Sequence, residues 1–202
     1  MASEPDCATL EMMSAALEYD TVEADRLVAQ IAAASVLMLD GKTTRIRELW
    51  RDAPTVTGFV RHFGCLFCHQ MVEELVKSVP HILESRARVV IVGNGSLEQA
   101  RRFFLEKGLP RDGVSVVTDP DRDSYKAAGF ERGITKTLNP GSVKAYGVAV
   151  RQGHRVTGLF GDLTQLGGML VVKPPASLVY FHKSRFAGDH PRMDDILAAL
   201  PR

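Results

Sequence analysis

The spacing of apolar and polar positions changes several times along the chain. The alanine-rich opening, residues 1–34, carries Leu27, Ile31 and Ala34 at helical spacing and reads as a helical extension with a loose first dozen residues. Val36 to Leu39, an Asp40-Gly41 turn and Thr43 to Ile46 predict a β-hairpin, followed by Trp50 near the core. From Thr55 onward, strand and helix patterns alternate. Thr55 to Phe63 reads as a strand with Val56, Gly58 and Val60 on one side. Cys68, Met71, Val72, Leu75, Val76 and Val79 then repeat every three or four residues and form one face of a helix that begins after Cys65. Arg88 to Val92 is a buried strand. Ser96 to Lys107 is a helix with a Ser96/Gln99 capping box and Gly108 as its stop. Val114 to Thr118 is a strand, and Asp121 to Ala128 a short helix ended by Gly129. Residues 130–166 are glycine-rich and aperiodic, an excursion with one irregular strand pair. Met169 to Val172 and Leu178 to Phe181 form a hairpin across Lys173-Pro174-Pro175-Ala176-Ser177. Pro191 opens a last helix whose inner face carries Ile196, Leu197 and Leu200. This order predicts an α/β sandwich over residues 35–202, on a central mixed sheet that is parallel in its first part and antiparallel at its end. Residues 1–34 precede it as a separate N-terminal extension.

Composition narrows the function classes. With 202 residues and 45 % hydrophobic positions, the chain can bury a sizeable core. A net charge of +1 gives no basic footprint for nucleic acid. The longest apolar run, Ile31 to Leu39, falls short of the roughly 20 residues that span a membrane. The first residues carry no basic n-region, so no secretory signal is read. Three cysteines, an odd and small number, fit a reducing compartment rather than a secreted disulfide framework, and the expected location is cytoplasmic.

The candidate chemistry lies in Cys65-Leu66-Phe67-Cys68. Two cysteines three apart at a helix start sit about one turn apart and can close a disulfide with little backbone movement. Unpaired N–H groups and the positive end of the helix dipole stabilise a thiolate there. Arg61, His62 and His69 add positive or protonatable groups. Such surroundings bring a cysteine pKa into a range of roughly 3.5–7.5 and place a nucleophile beside a resolving partner. Two other readings compete: a pair of small core residues, and a metal half-site, since His62-x-x-Cys65-x-x-Cys68 has ligand spacing. A closed zinc site needs about four ligands. The rest of the chain offers only Cys7 and the scattered His81, His154, His182 and His190, so no metal is expected. Gly93-Asn94-Gly95 imitates a dinucleotide turn, but Glu98 stands at the third glycine position. Cys7 reads as a spectator thiol, His182-Lys183-Ser184-Arg185 as a solvated strand end, and Phe103 and Phe104 as core.

Arg61-His62-Phe63-Gly64-Cys65-Leu66-Phe67-Cys68 closely resembles the active-site segment of the peroxiredoxin-like 2 proteins, in the alkyl hydroperoxide reductase/thiol-specific antioxidant group. Asp40-Gly41 with Glu48-Leu49-Trp50, Thr118-Asp119-Pro120-Asp121 with Tyr125-Lys126, and Gln165-Leu166-Gly167-Gly168 leading to Gly188-Asp189-His190-Pro191 are similar to the same family. The matches span about residues 36–200. The resemblance implies a thioredoxin-like fold and redox-active Cys65 and Cys68. It also implies reduction of peroxides, endoperoxides or protein disulfides with electrons from thioredoxin, glutathione or another thiol, without a bound cofactor. The oligomeric state stays open between monomer and homodimer.

In this reading Cys65, at the helix start, attacks the S–S or O–O bond and Cys68 resolves the adduct. The peroxiredoxin signature, laid over the segment, favours the reverse order. Arg61 and His62 stabilise charge, and His69 exchanges protons. Two alternatives stand beside this enzyme: a non-catalytic redox-sensing or binding protein, and a specialised biosynthetic enzyme acting on a reactive small molecule. The overlay also puts Arg61 at the signature proline, Cys65 at its threonine, and Gly167 where peroxiredoxins carry their active-site arginine. No proline stands in the Gly167–Gly168 region, where thioredoxins have a cis-proline. Arg61 lies on the strand before the cysteines, which leaves its side chain free to take the opposite face. Hydrogen peroxide is therefore expected to be a poor substrate.

Overall fold

The computed structural model describes residues 21–133, 146, 150–151, 162 and 164–201. Among these, helix α1 (Thr21–Ala33) leads into a hairpin of β1 (Ser35–Met38) and β2 (Thr43–Arg45), followed by the short α2 (Ile46–Trp50). Then come β3 (Thr55–Phe59), α3 (Leu66–Glu84), β4 (Arg88–Gly93), α4 (Leu97–Leu105), β5 (Val114–Thr118) and α5 (Asp123–Ala127). The chain closes with β6 (Gly168–Lys173), β7 (Ser177–Lys183) and α6 (Met193–Ala198). Residues 1–20, with Cys7, and His154 lie outside the described residues, as does most of the 130–166 excursion. The neck of that excursion is described: Arg132 and Gln165 form an antiparallel bridge where the chain leaves and returns.

The described strands form one sheet in the order β2-β1-β5-β4-β3-β6-β7. Strands β3, β4 and β5 run parallel, while β6 pairs antiparallel with β3 and β7 antiparallel with β6. Both faces of the sheet are covered, so its central strands read as continuous apolar runs. Alternation then sorts their side chains. Val56, Val89, Ile91 and Val116 pack under α3, α4 and α6, and Phe59, Val90, Val92 and Val117 pack under α1, α2 and α5. Val28 and Ile31 of α1 are fully buried in the second layer. Trp50 is buried there too, and its indole N–H donates to Thr57 Oγ1 at 2.8 Å.

Two details of this frame position the site. Strand β3 ends at Phe59, four residues earlier than its apolar pattern predicts, which frees residues 60–64 to form a turn above the sheet. Gly93 and Gly95, the dinucleotide-like turn, are spaces for Phe63: a Cβ at either position would lie 2.1 Å or 2.6 Å from its ring. Phe63 also packs on Phe103 and Phe104, at ring distances of 5.2 and 5.5 Å. The turn and the cysteines that follow are thus anchored to both β4 and α4.

Candidate active site

Cys65 is the N-cap residue of α3, in an extended conformation, and Cys68 lies in the first turn. The Cys68 and His69 N–H groups donate to the Cys65 carbonyl at 3.0 and 3.1 Å. Both cysteines are free thiols and both are buried, Cys65 with 5 % and Cys68 with 1 % of its surface exposed. Both belong to one buried cluster, Cys68 the more deeply.

Their electrostatics differ in sign. A hydrogen bond from Cys68 is the largest influence holding the Cys65 thiol well below its ordinary value; a hydrogen bond from His62 and the charge of Arg61 add to it against burial. Burial pushes Cys68 well above its ordinary value, and the neighbouring Cys65 sulfur raises it further. The two shifts are opposite in sign, so of the pair Cys65 is the thiol favoured as the anion, with Cys68 hydrogen-bonded to it. The Arg61 backbone N–H donates to the Cys68 sulfur at 3.2 Å, so that sulfur is held from both sides.

Arg61 is buried, and Arg61 Nη1 donates to Cys65 Sγ at 3.2 Å. Its side chain therefore takes the cysteine face. The sequence left the opposite face open because it placed Arg61 on a strand; the strand has already ended, and alternation no longer applies. Arg61 Nε donates to the Gln165 carbonyl at 3.1 Å, which fixes the guanidinium plane. Its own carbonyl accepts from Asn94 Nδ2, and Asn94 Oδ1 accepts from the Asp162 N–H at 3.2 Å. His62 is buried beside Cys65, with Nδ1 unpartnered among the described residues. His69 is only partly buried and turns its ring edge-on to Phe103, 4.9 Å away.

Gly167 has no room for a side chain: a Cβ there would meet the Phe59 carbonyl oxygen at 2.0 Å. The position that the overlay gave to an arginine is closed, and Arg61 brings a guanidinium to the sulfur from the other side. Tyr125 fixes the base of the turn through its hydroxyl, which donates between the Val60 carbonyl (2.7 Å) and the Val92 carbonyl (3.0 Å). Asn94, Gln165 and Tyr125 were not recognised in the sequence as site-building residues. Each was visible only as part of a turn or a similarity segment. Among the described residues, no group of three or more His, Cys, Asp or Glu side chains is placed to hold a metal ion. No described helix is long and apolar enough to cross a membrane.

A mixed sheet covered on both faces, with a buried thiol pair heading the first helix after a central strand, belongs to the thioredoxin-like class. A solved structure of this class, Peroxidoxin BcpB from Mycobacterium tuberculosis, matches with a TM-score of 0.60 at 15 % identity, over 82 % of this chain and 90 % of that one. The sequence model described as AhpC/TSA antioxidant enzyme matches residues 74–185, just over half of the chain and beginning after the cysteines. Peroxiredoxin-like 2C of Homo sapiens is 30 % identical over 187 residues, 85 % of this chain and 79 % of that protein. Prostamide/prostaglandin F synthase of Salmo salar is 31 % identical over 170 residues, 80 % of this chain and 82 % of that protein. The chain belongs to the AhpC/TSA antioxidant enzyme family, among its peroxiredoxin-like members, and is a thiol-dependent oxidoreductase.

Proposed function

We propose that the protein is a dithiol peroxidase that reduces small hydroperoxides, with Cys65 as the attacking thiolate and Cys68 as the resolving thiol. The contact between Arg61 Nη1 and Cys65 Sγ carries this reading. A fixed guanidinium beside a thiolate stabilises the charge that moves onto oxygen as an O–O bond breaks. Arg61 thus supplies the group whose absence made hydrogen peroxide look like a poor substrate, and small peroxides, hydrogen peroxide included, become the expected ones. Burial of Cys65 argues in the same direction. A cysteine with 5 % of its surface exposed is reached by a small peroxide more readily than by the disulfide of a folded protein. His62 assists by its hydrogen bond to the same sulfur.

Attack forms a Cys65 sulfenic acid. Cys68, one helical turn away, then closes the disulfide and releases water, and an external thiol such as thioredoxin or glutathione regenerates the pair. The Salmo salar relative, named as a prostamide/prostaglandin F synthase, favours one second reading: an endoperoxide, whose O–O bond meets the same thiolate. Single-turnover kinetics on the reduced full chain test both, using hydrogen peroxide, an alkyl hydroperoxide and an organic endoperoxide. The expected product is a Cys65–Cys68 disulfide in peptide maps, and in Cys68→Ser a sulfenic acid on Cys65 that dimedone traps. A dimedone adduct on Cys68 in Cys65→Ser, with none on Cys65, contradicts the assignment. A chain that none of the three substrates oxidises contradicts the peroxidase reading itself.

A further inference from the structure

Arg61 is held from several sides. Its N–H lies on the Cys68 sulfur and its Nη1 on the Cys65 sulfur. Its Nε donates to the Gln165 carbonyl, and its own carbonyl accepts from Asn94 Nδ2. The last two contacts both lead back to Asp162. The Asp162 N–H donates to Asn94 Oδ1 at 3.2 Å, and the Asp162 carbonyl accepts from the Gln165 N–H at 3.2 Å. The first bond settles which way the buried Asn94 amide turns. With a donor on one side and the Arg61 carbonyl on the other, only one orientation satisfies both ends. The second bond aims Gln165, whose carbonyl then meets Arg61 Nε.

The Asp162 carboxylate holds this backbone in place, and its two oxygens divide the task. Oδ1 shapes the turn by accepting from the Thr164 N–H at 2.9 Å and the Thr164 hydroxyl at 2.7 Å. Oδ2 ties the turn to its surroundings through Arg132, at the neck of the excursion, and through Arg122 Nη1 at 3.4 Å. Arg122 precedes α5 and holds a left-handed backbone, with φ at 61°, that residues with a side chain rarely adopt. Such a conformation persists where the surroundings fix it, and here it belongs to a residue that meets Asp162. Burial opposes the charged form of Asp162, but the Thr164 and Arg132 contacts outweigh it and hold the carboxyl below its ordinary value.

We infer that Asp162 is a positioning residue of the proposed reaction: through Asn94 and Gln165 it fixes the Arg61 guanidinium on the Cys65 sulfur. The inference rests on the peroxidase reading above for the step that Arg61 assists. Asp162 touches neither sulfur and acts only through Arg61. Without the carboxylate, the carbonyl that orients Arg61 Nε and the amide that grips its backbone lose their common anchor, and the guanidinium drifts from the place where charge develops. A displacement of about 1 Å far from the chemistry is enough to cost about 10²-fold in rate.

The test is a double-mutant cycle in single-turnover oxidation of the full reduced chain by hydrogen peroxide, with wild type, Asp162→Ala, Arg61→Gln and the double variant. Asp162→Ala is expected to slow the wild-type chain by about 10–10²-fold. Beside Arg61→Gln it is expected to add no more than about twofold, because the group it positions is already gone. A general loosening of the fold would slow both backgrounds alike. The same fold-loss in both, or no loss beside the native Arg61, overturns the inference. Iodoacetamide labelling of Cys65 supplies a readout that needs no peroxide. The Arg61 charge helps to hold the Cys65 thiol low. Asp162→Ala is therefore expected to raise the pH at which labelling is lost by about 1 unit, and to leave it unmoved beside Arg61→Gln. An unmoved labelling pH in Asp162→Ala overturns the role of Asp162, whereas a wild-type chain that hydrogen peroxide does not oxidise contradicts the peroxidase reading instead. If Asp162→Ala does not fold by circular dichroism, Asp162→Asn, which keeps an oxygen for Thr164 and loses the charge that faces Arg122 and Arg132, is judged by the same two comparisons.

Discussion

Two turns meet over the end of β3, and they are built on opposite principles. In the proposed reaction the turn at residues 60–65 supplies side chains: a guanidinium, an imidazole and a sulfur. The turn at residues 165–168 faces it with backbone alone, because Gly167 sits against the Phe59 carbonyl with no space for a Cβ. Yet the second turn decides where the first one points, since the Gln165 carbonyl holds Arg61 Nε. In the proposed reaction the guanidinium thus enters from the first turn, and the second supplies the acceptor that orients it. The identity of the residue at the expected position is a poor guide to whether the charge is present.

The largest effect comes from removing the sulfur that the first turn presents. Cys65→Ser is expected to abolish peroxide-dependent oxidation, and Cys68→Ser to permit one oxidation of Cys65 but no disulfide; mass spectrometry of peptide maps checks both. Arg61→Gln comes next. Loss of one donor to developing charge costs about 10²–10³-fold in rate, read by stopped-flow oxidation. Arg61→Lys is expected to recover only part of it, since an ammonium cannot hold the Gln165 carbonyl and the sulfur in one plane.

The second turn is broken by bulk. Gly167→Ala forces a Cβ onto the Phe59 carbonyl and is expected to destabilise the fold by about 1–3 kcal/mol, measured by denaturant unfolding. The smallest effect is on the support beneath. Tyr125→Phe removes the hydroxyl from the Val60 and Val92 carbonyls, the second of which keeps the Val60 N–H, and is expected to cost about 0.5–1.5 kcal/mol in denaturant unfolding, with the order of the two sulfurs unchanged.

Much of the frame was legible in the sequence because both signals were local. The capping box at Ser96 and Gln99 forms as its spacing predicts, and Val114–Thr118 is the strand its pattern describes. The placement of Cys65 and Cys68 at a helix start follows from the six apolar positions from Cys68 to Val79. The final parallel-to-antiparallel change in the sheet follows from the hairpin around Pro174-Pro175. What escaped the sequence is what distant turns do to one another. Arg61 meets Gln165 across 104 positions and Asn94 across 33. Gly167 read as a missing arginine, when the carbonyl above it admits no side chain. Alternation beyond the true end of β3 was no guide to Arg61.

The central claim is that the negative charge of the pair sits on Cys65. Iodoacetamide labelling of the reduced full chain, followed residue by residue in peptide mass spectra as pH is varied, tests it most directly. Reactivity requires the anion, so it is present above a thiol's pKa and lost as pH falls through it. With Cys65 held well below its ordinary value and Cys68 pushed above, Cys65 should label first and keep its rate well below the ordinary thiol pKa of about 8.5, while Cys68 stays unlabelled until the solution is alkaline. Cys68 labelling first, or Cys65 losing its reactivity around the ordinary thiol pKa, would contradict the account.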